Sequence, residues 1–346
     1  MTLKMKYRPD IDGLRAIAVL AVLFYHAEIE MFSGGYVGVD VFFVISGYLI
    51  TTKIMQEIRA DRFSLLTFYE QRIRRIIPAL FTVIIFSLLV GAWLFDSSSY
   101  KNLGESAVAT TLSLANVLFL SQTGYFDTPS TLKPFLHTWS LSIEEQFYLF
   151  LPLLLVFLTR FAKRKIFAIL TFLGLISLGF STYILRDNPN ASFFLLQYRA
   201  WELLIGSLLA LKSFKIKPSL HQFLSLSGIA MIFFSIIIYS EETLFPGIAA
   251  GAPVIGAALI IYSGIDGKPL VSKLLGTRPF VFIGKISYSL YLWHWPFIVF
   301  GKYYLIRDTN TVDIIIWLLF TFLVSTLSWK FIETPFRVKS FLERPR

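Results

Sequence analysis

The sequence predicts an all-α fold, a polytopic integral membrane helical bundle of about ten transmembrane helices with a possible re-entrant segment. Three observations lead there. Of 346 residues, 55% are hydrophobic and 16% charged, against about 25% charged in a soluble domain. Apolar runs long enough for a ~30 Å hydrocarbon core recur along the whole chain. Lys and Arg gather on alternate connecting segments, the asymmetry that orients a multi-pass protein. That distribution accounts for the net charge of +10, so a bilayer and no nucleic acid is the expected partner. Cysteine is absent, which excludes a disulfide framework, a thiolate nucleophile and a cysteine metal site.

Spans are expected near residues 12–31, 36–55, 76–95, 143–160, 166–185, 193–211, 222–240, 246–263, 281–301 and 313–332. A further stretch, Glu105 to Ser121, is short and rich in Ser, Thr and Asn. If it does not cross, 24 of the 32 Lys and Arg fall on the N-terminus, 53–75, 160–165, 212–217, 266–278 and the tail from Lys330. Those segments are then cytoplasmic, as are both termini, and 105–121 is re-entrant or interfacial. Residues 1–346 read as a single transmembrane domain in the inner (plasma) membrane. Met1 to Arg8 leads into a long apolar run with no small-residue cleavage site, so no signal peptide is expected.

The first span carries Arg15 and His26. They are eleven residues apart, three turns and about 16 Å of rise on one helix face. One face then bears a fixed cation near one surface and an imidazole near the midplane or beyond. Ionisable groups at such depth cost a few kcal/mol and are functional candidates by default. The plainer alternative is a snorkelling arginine and a hydrogen-bonded histidine. Gly34-Gly35-Tyr36-Val37-Gly38 reads as a turn into the second span and not as a phosphate loop.

Arg72, Arg74 and Arg75 precede Pro78 at the mouth of the third span. They could bind a polyanion such as the phosphates of a nucleotide-like donor, or simply pin a helix to anionic lipid. At the entry to the fourth span, His137-Thr138-Trp139-Ser140-Leu141-Ser142-Ile143-Glu144-Glu145-Gln146 gathers an imidazole, hydroxyls and two carboxylates. A carboxylate there can orient an imidazole for general-base work on a hydroxyl. The competing reading is capping by Ser140 or Ser142 with the acids in the first turn. Arg199 and Glu202 stand at i, i+3 in the sixth span and are expected to form an ion pair. Ser287-Tyr288-Ser289 and His294 place hydroxyls and an imidazole in a span preceded by Lys285. Tyr125, Phe126, Trp139 and Tyr148 could stack on sugar rings or form an interfacial belt. Four His, no His-x-x-x-His pair and no carboxylate triad leave metal binding without support. His221 has no evident partner.

The run Tyr7-Arg8-Pro9-Asp10-Ile11-Asp12-Gly13-Leu14-Arg15-Ala16 followed by His26 resembles the start of the acyltransferase 3 family of membrane O-acyltransferases. So do Gly35 to Thr51, Phe68-Tyr69 to Pro78, His137 to Tyr148, Arg199-Ala200-Trp201-Glu202, Ser287-Tyr288-Ser289 with His294, and Phe331-Ile332-Glu333-Thr334-Pro335. The resemblance implies an acyl donor, usually acetyl-CoA, reached from the cytoplasm, and an acceptor hydroxyl on an extracytoplasmic glycan. It maps the family's arginine-to-histidine motif onto Arg15 and His26, its arginine-rich segment onto Arg72 and Arg75, and its glutamate onto Glu144 with Glu145 beside it. The expected roles are His26, Glu144, Glu145 and His137 in catalysis, and Arg15, Arg72, Arg75 and Lys285 on the donor. Trp139, Ser140, Tyr288 and His294 are assigned to the acceptor. Many relatives continue past the Glu-Thr-Pro element into an extracytoplasmic hydrolase-like domain, a possible partner absent from this chain. The rival class is a transporter or flippase, with buried charges lining a path. It should show inverted repeats with matching interrupted helices, and no such pairing is seen.

Overall fold

The computed structural model describes residues 7–123, 132–211, 217–305 and 307–338. Tyr125 and Phe126 lie outside the described residues, as do the basic residues of 1–6, 212–216 and 339–346. Among the described residues the chain forms helices and no strand. Seven of the helices are long and apolar enough to cross a bilayer by length and composition.

Every expected span falls on a helix. The chain divides into two compact units, 1–63 with 143–285, and 64–142 with 286–346. The first unit begins with α1 (Pro9–His26) and α2 (Gly38–Arg59). Pro9 at the first helical position and Asp10 and Asp12 in the first turn start α1, because the ring presets φ and the acids meet the positive helix end. The helix ends on His26 and does not run to residue 31, since Glu28 takes a left-handed φ of 58° and turns the chain. His26 therefore stands at the end of the helix, about 26 Å along the axis from Pro9 and beyond any mid-span position.

The second unit opens with α3 (Leu65–Leu94), capped by Ser64, whose Oγ accepts from the Thr67 amide at 3.4 Å. The ambiguous stretch is two helices, α4 (Ser97–Thr111) and α5 (Ala115–Ser121), broken where Ser113 adopts φ 57°. At 15 and 7 residues, neither alone reaches across a ~30 Å core. Next comes α6 (Thr138–Phe161), of which residues 138–142 belong to the second unit and the remainder to the first. The first unit continues with α7 (Ile166–Ile184), α8 (Pro189–Phe194), α9 (Leu196–Leu211), α10 (Pro218–Ile238), α11 (Gly251–Asp266) and α12 (Leu270–Leu275). Then α13 (Arg278–Leu305) passes into the second unit after residue 285. α14 (Thr311–Ser328), a π-helical turn, Trp329–Glu333, and the short α15 (Thr334–Arg337) follow in that unit.

In the first unit α1, α2, α9, α10 and α11 enclose a core that includes Leu14, Ala18, Val41, Val44, Trp201, Ile232, Val254 and Ile260. With lipid outside, helices gain little by hiding apolar area, so close backbone approach through small residues holds them together. α2 and α9 show this reciprocally: a Cβ on Gly47 would meet the Leu203 carbonyl, and one on Gly206 the Val44 carbonyl. Both obstacles are backbone and cannot step aside. Gly206→Ala is expected to cost about 1–3 kcal/mol through overpacking, read as a lowered unfolding midpoint of the purified protein. A midpoint equal to wild type would mean that the two helices separate without penalty.

In the second unit α3 and α13 pack through rings. Phe86 lies edge-on to Trp293, Phe297 and Phe300 at 5.1, 5.5 and 6.4 Å. Ser289 donates to the buried Glu333 carboxylate at 3.2 Å, tying α13 to the π-helical turn.

Candidate functional site

α1 is unbroken between Arg15 and His26, so the eleven-residue spacing keeps both on one face. Arg15 Nη1 reaches Asp12 Oδ1 one turn back at 3.4 Å, and the Tyr7 hydroxyl donates to the other Asp12 oxygen at 2.6 Å. Arg8 at the same end forks onto Asp10 at 2.8 and 2.6 Å and reaches the Ile261 carbonyl at 3.0 Å. The start of α1 is thus a charge-balanced edge, two guanidiniums each oriented by an acid of the same helix. The half-buried His26 ring lies 5.1 Å from the Tyr25 ring. Val19 and Val22 occupy the same face between the two ends and are 0% and 1% exposed. Side chains therefore cover that face and leave no water access along it.

Glu144 lies inside α6, past its first turn, and both its oxygens accept. Ser46 of α2 donates to Oε1 at 3.0 Å and Tyr148, one turn on, to Oε2 at 3.0 Å. Glu145 is half-buried beside it. Because α6 begins at Thr138, Ser140 and Ser142 are helical and do not cap it. Ser142 Oγ donates to the Thr138 carbonyl at 3.1 Å and accepts the Ala115 amide at 3.2 Å, pinning α5 to α6. The capping alternative is thereby set aside.

The expected Arg199–Glu202 pair forms and gains a third member. Arg199 Nη2 donates to Glu202 Oε2 at 3.1 Å, and Nε lies 2.7 Å from Oε1 as an ion-pair contact. The same Nη2 reaches Asp40 Oδ1 on α2 at 2.8 Å. All three residues are 0% exposed, and the rings of Phe43, Phe193 and Phe245 each lie 5.5 Å from the guanidinium carbon. Asp40 escaped the sequence reading, although a carboxylate between Val39 and Val41 in an apolar run signals a buried partner. Lys285, on α13, is exposed.

In the second unit Arg74 is taken up by Glu70 one turn earlier, at 2.7 Å. Arg72 and Arg75, half-buried at i, i+3, share a face of α3. His137, Ser140 and His294, distant in sequence, come together around Tyr291, which the sequence reading did not select. The Tyr291 hydroxyl donates to the His137 carbonyl at 2.8 Å and pairs with Ser140 Oγ at 2.6 Å. The two imidazole rings lie 5.4 Å apart and nearly perpendicular. His294 Nδ1 faces the Tyr291 carbonyl at 2.7 Å. A carbonyl only accepts, so Nδ1 carries the proton, and in the neutral ring Nε2 is the basic nitrogen. Tyr288 does not join this group: its hydroxyl donates to the Ile76 carbonyl of α3 at 3.0 Å. Trp139 and Tyr148 are buried, 7% and 3% exposed. Among the described residues no three His, Asp or Glu side chains meet as metal ligands.

These features define a multi-pass helical membrane protein that holds arginines, histidines and carboxylates in ordered polar clusters. The acyltransferase domain family, acyltransferase 3, matches residues 8–330, and the chain belongs to it. It is similar to the O-acetyltransferase OatA of Staphylococcus aureus strains NCTC 8325 / PS 47 and COL, 37% identical to each over 355 residues. The match covers 97% of this chain and 58% of each relative, so the chain spans rather more than half the length of those proteins. No solved structure matches it.

Proposed function

We propose that this chain is an O-acetyltransferase of the plasma (inner) membrane that takes an acetyl group from cytoplasmic acetyl-CoA and passes it to a hydroxyl of an extracytoplasmic glycan. The observation that carries the reading is α1, one continuous helix that sets Arg15 and His26 on one face in a chain of the acyltransferase family. The basic connecting segments assign the Arg15 end to the cytoplasm. An arginine there suits the phosphates of the coenzyme, and a base about 16 Å outward suits an acceptor on the other side. Arg72, Arg75 and Lys285 are further candidates for donor phosphates. The group of His137, Ser140 and His294 is a candidate for acceptor binding, with Trp139 beside Ser140, whereas Tyr288 is turned to the Ile76 carbonyl and falls outside it.

In the direct route His26 takes the proton of the acceptor hydroxyl while its oxygen attacks the thioester carbonyl carbon. The carbon–sulfur bond breaks, and the coenzyme thiolate recovers the proton from the imidazolium. In the two-step route the imidazole attacks first, the carbon–sulfur bond breaks and the coenzyme leaves as its thiol with the imidazole proton; the acceptor hydroxyl then attacks the acyl-imidazole, and its proton returns to the released imidazole. Glu144, which Ser46 and Tyr148 hold in place, does not reach His26. Gly38 packs on Ala18, and from that crossing Ser46 lies eight residues toward the Arg15 end while His26 lies eight residues the other way. Glu144 therefore serves the donor end of the path. Because Val19 and Val22 are covered, the thioester reaches His26 only after the side chains along that face part. Donor binding and opening are therefore coupled.

Arg15→Ala and Arg75→Ala are each expected to weaken binding of a non-hydrolysable acetyl-CoA analogue by about tenfold or more, the worth of a charge-assisted contact. Unchanged affinity in both variants would remove the anchor. Purified protein given labelled acetyl-CoA and cell-envelope glycan should consume the thioester and esterify the glycan. A thioester left intact while glycan crosses the membrane would mark a transporter instead.

A further inference from the structure

A shallow cleft in the second unit, open to solvent, lies between α4, the end of α5, the segment before α6 and the end of α13. The proposed transfer reaction has not used it. Its walls have a definite chemistry. Ser99 and Asn102 project from one face of α4, Gln122 follows α5, and the Phe95 and Tyr303 rings stand edge-on at 4.7 Å. Among the described lining residues Lys133 is the one charged side chain. Its ammonium donates to the Gln122 carbonyl at 3.1 Å and lies 6.0 Å from the Phe119 ring centre, which holds the charge at the cleft.

The backbone that carries Lys133 is itself held. Trp295 Nε1 donates to the Lys133 carbonyl at 2.8 Å, and the Tyr291 hydroxyl to the His137 carbonyl at 2.8 Å. Two side chains four residues apart on α13 thus grip two carbonyls four residues apart on the segment, in the register of one helix face. This accounts for the aromatic run of α13 and joins the cleft wall to the His137–His294 group within four residues. The site is preorganised, as a binding site needs to be.

We infer that this cleft binds an acidic sugar, a carbohydrate unit of the acceptor that carries one carboxylate. Neutral hydroxyl and amide groups beside aromatic edges match a sugar ring, and one lysine matches one negative charge. A coenzyme with several phosphates would call for several cations. The inference rests on the glycan-acceptor reading.

The test uses the full chain in nanodiscs with methyl glucuronide and methyl glucoside as probes. The glucuronide is expected to bind, Lys133→Gln to weaken it about tenfold or more, and Lys133→Arg to keep it within a few-fold. Binding of the glucoside should be insensitive to Lys133→Gln. Asn102→Leu, which fills the cleft without touching charge, should weaken both sugars and serves if the lysine variant does not fold. Equal glucuronide affinity in wild type and Lys133→Gln would overturn the inference, as would sugar binding unaltered by Asn102→Leu. Displacement by glycerol phosphate at equal affinity would overturn it too, because the cleft would then take a lipid headgroup. Acetyl-CoA binding, followed in the same samples, should not change in any variant. Its loss in wild type would defeat the transferase reading while leaving the sugar result to score the cleft.

Discussion

Replacing His26 with alanine lowers acetyl transfer by about 10²- to 10⁴-fold, the range for loss of a positioned general base, and leaves the folded protein intact. The side chain is half-buried at the last position of α1, where the helix has already closed its hydrogen bonds. Its removal therefore costs little packing. The two routes separate in the same experiment. If His26 carries the acyl group, rapid quenching of wild type with labelled acetyl-CoA and no acceptor leaves label on the protein, and His26→Ala leaves none. If His26 is only a base, neither protein is labelled and the variant still transfers slowly. Normal transfer by a membrane-inserted His26→Ala protein would remove the histidine from the mechanism.

Arg199→Met is expected to destabilise the protein by about 3–5 kcal/mol, the usual effect of removing one partner from a buried charge group. Asp40 and Glu202 would remain as two carboxylates with no cation, enclosed by three rings and shielded from bulk solvent. The magnitude comes from the carboxylates left behind more than from the guanidinium lost. A second variant separates these contributions. Replacing Asp40, Arg199 and Glu202 together with apolar residues of similar volume should recover much of the loss, because a whole buried ion group can be exchanged for packing at small net cost. Unfolding midpoints in a fixed detergent would measure both. A single variant within about 1 kcal/mol of wild type would show that the triad carries no structural weight.

The fold was legible because lipid demands long apolar helices, and each expected span lies on one. What stayed hidden were their ends, which turn on backbone angles. The first span stops at His26 because Glu28 turns left-handed, an uncommon conformation for a residue other than glycine or asparagine. The third helix starts eleven residues before its apolar part because polar residues from Leu65 onward still make helical hydrogen bonds below a Ser64 cap. The site was legible where chemistry is local. Arg199 and Glu202 pair at i, i+3, and Arg15 and His26 share a face. It was hidden where partners are remote: Asp40 meets Arg199 across 159 residues and Tyr291 meets Ser140 across 151. Burial of Val19 and Val22 on the face between Arg15 and His26 was hidden as well, because it depends on neighbours that periodicity does not reveal.

Sidedness tests the central claim most directly. Proteoliposomes containing this protein in one orientation are given labelled acetyl-CoA, which cannot cross, on the face bearing Arg15, and cell-envelope glycan on the other. Labelled ester should appear on the glycan only when donor and acceptor are on those opposite faces. Ester formed only with both on one side, or none in any arrangement, would contradict transfer across the membrane by this chain.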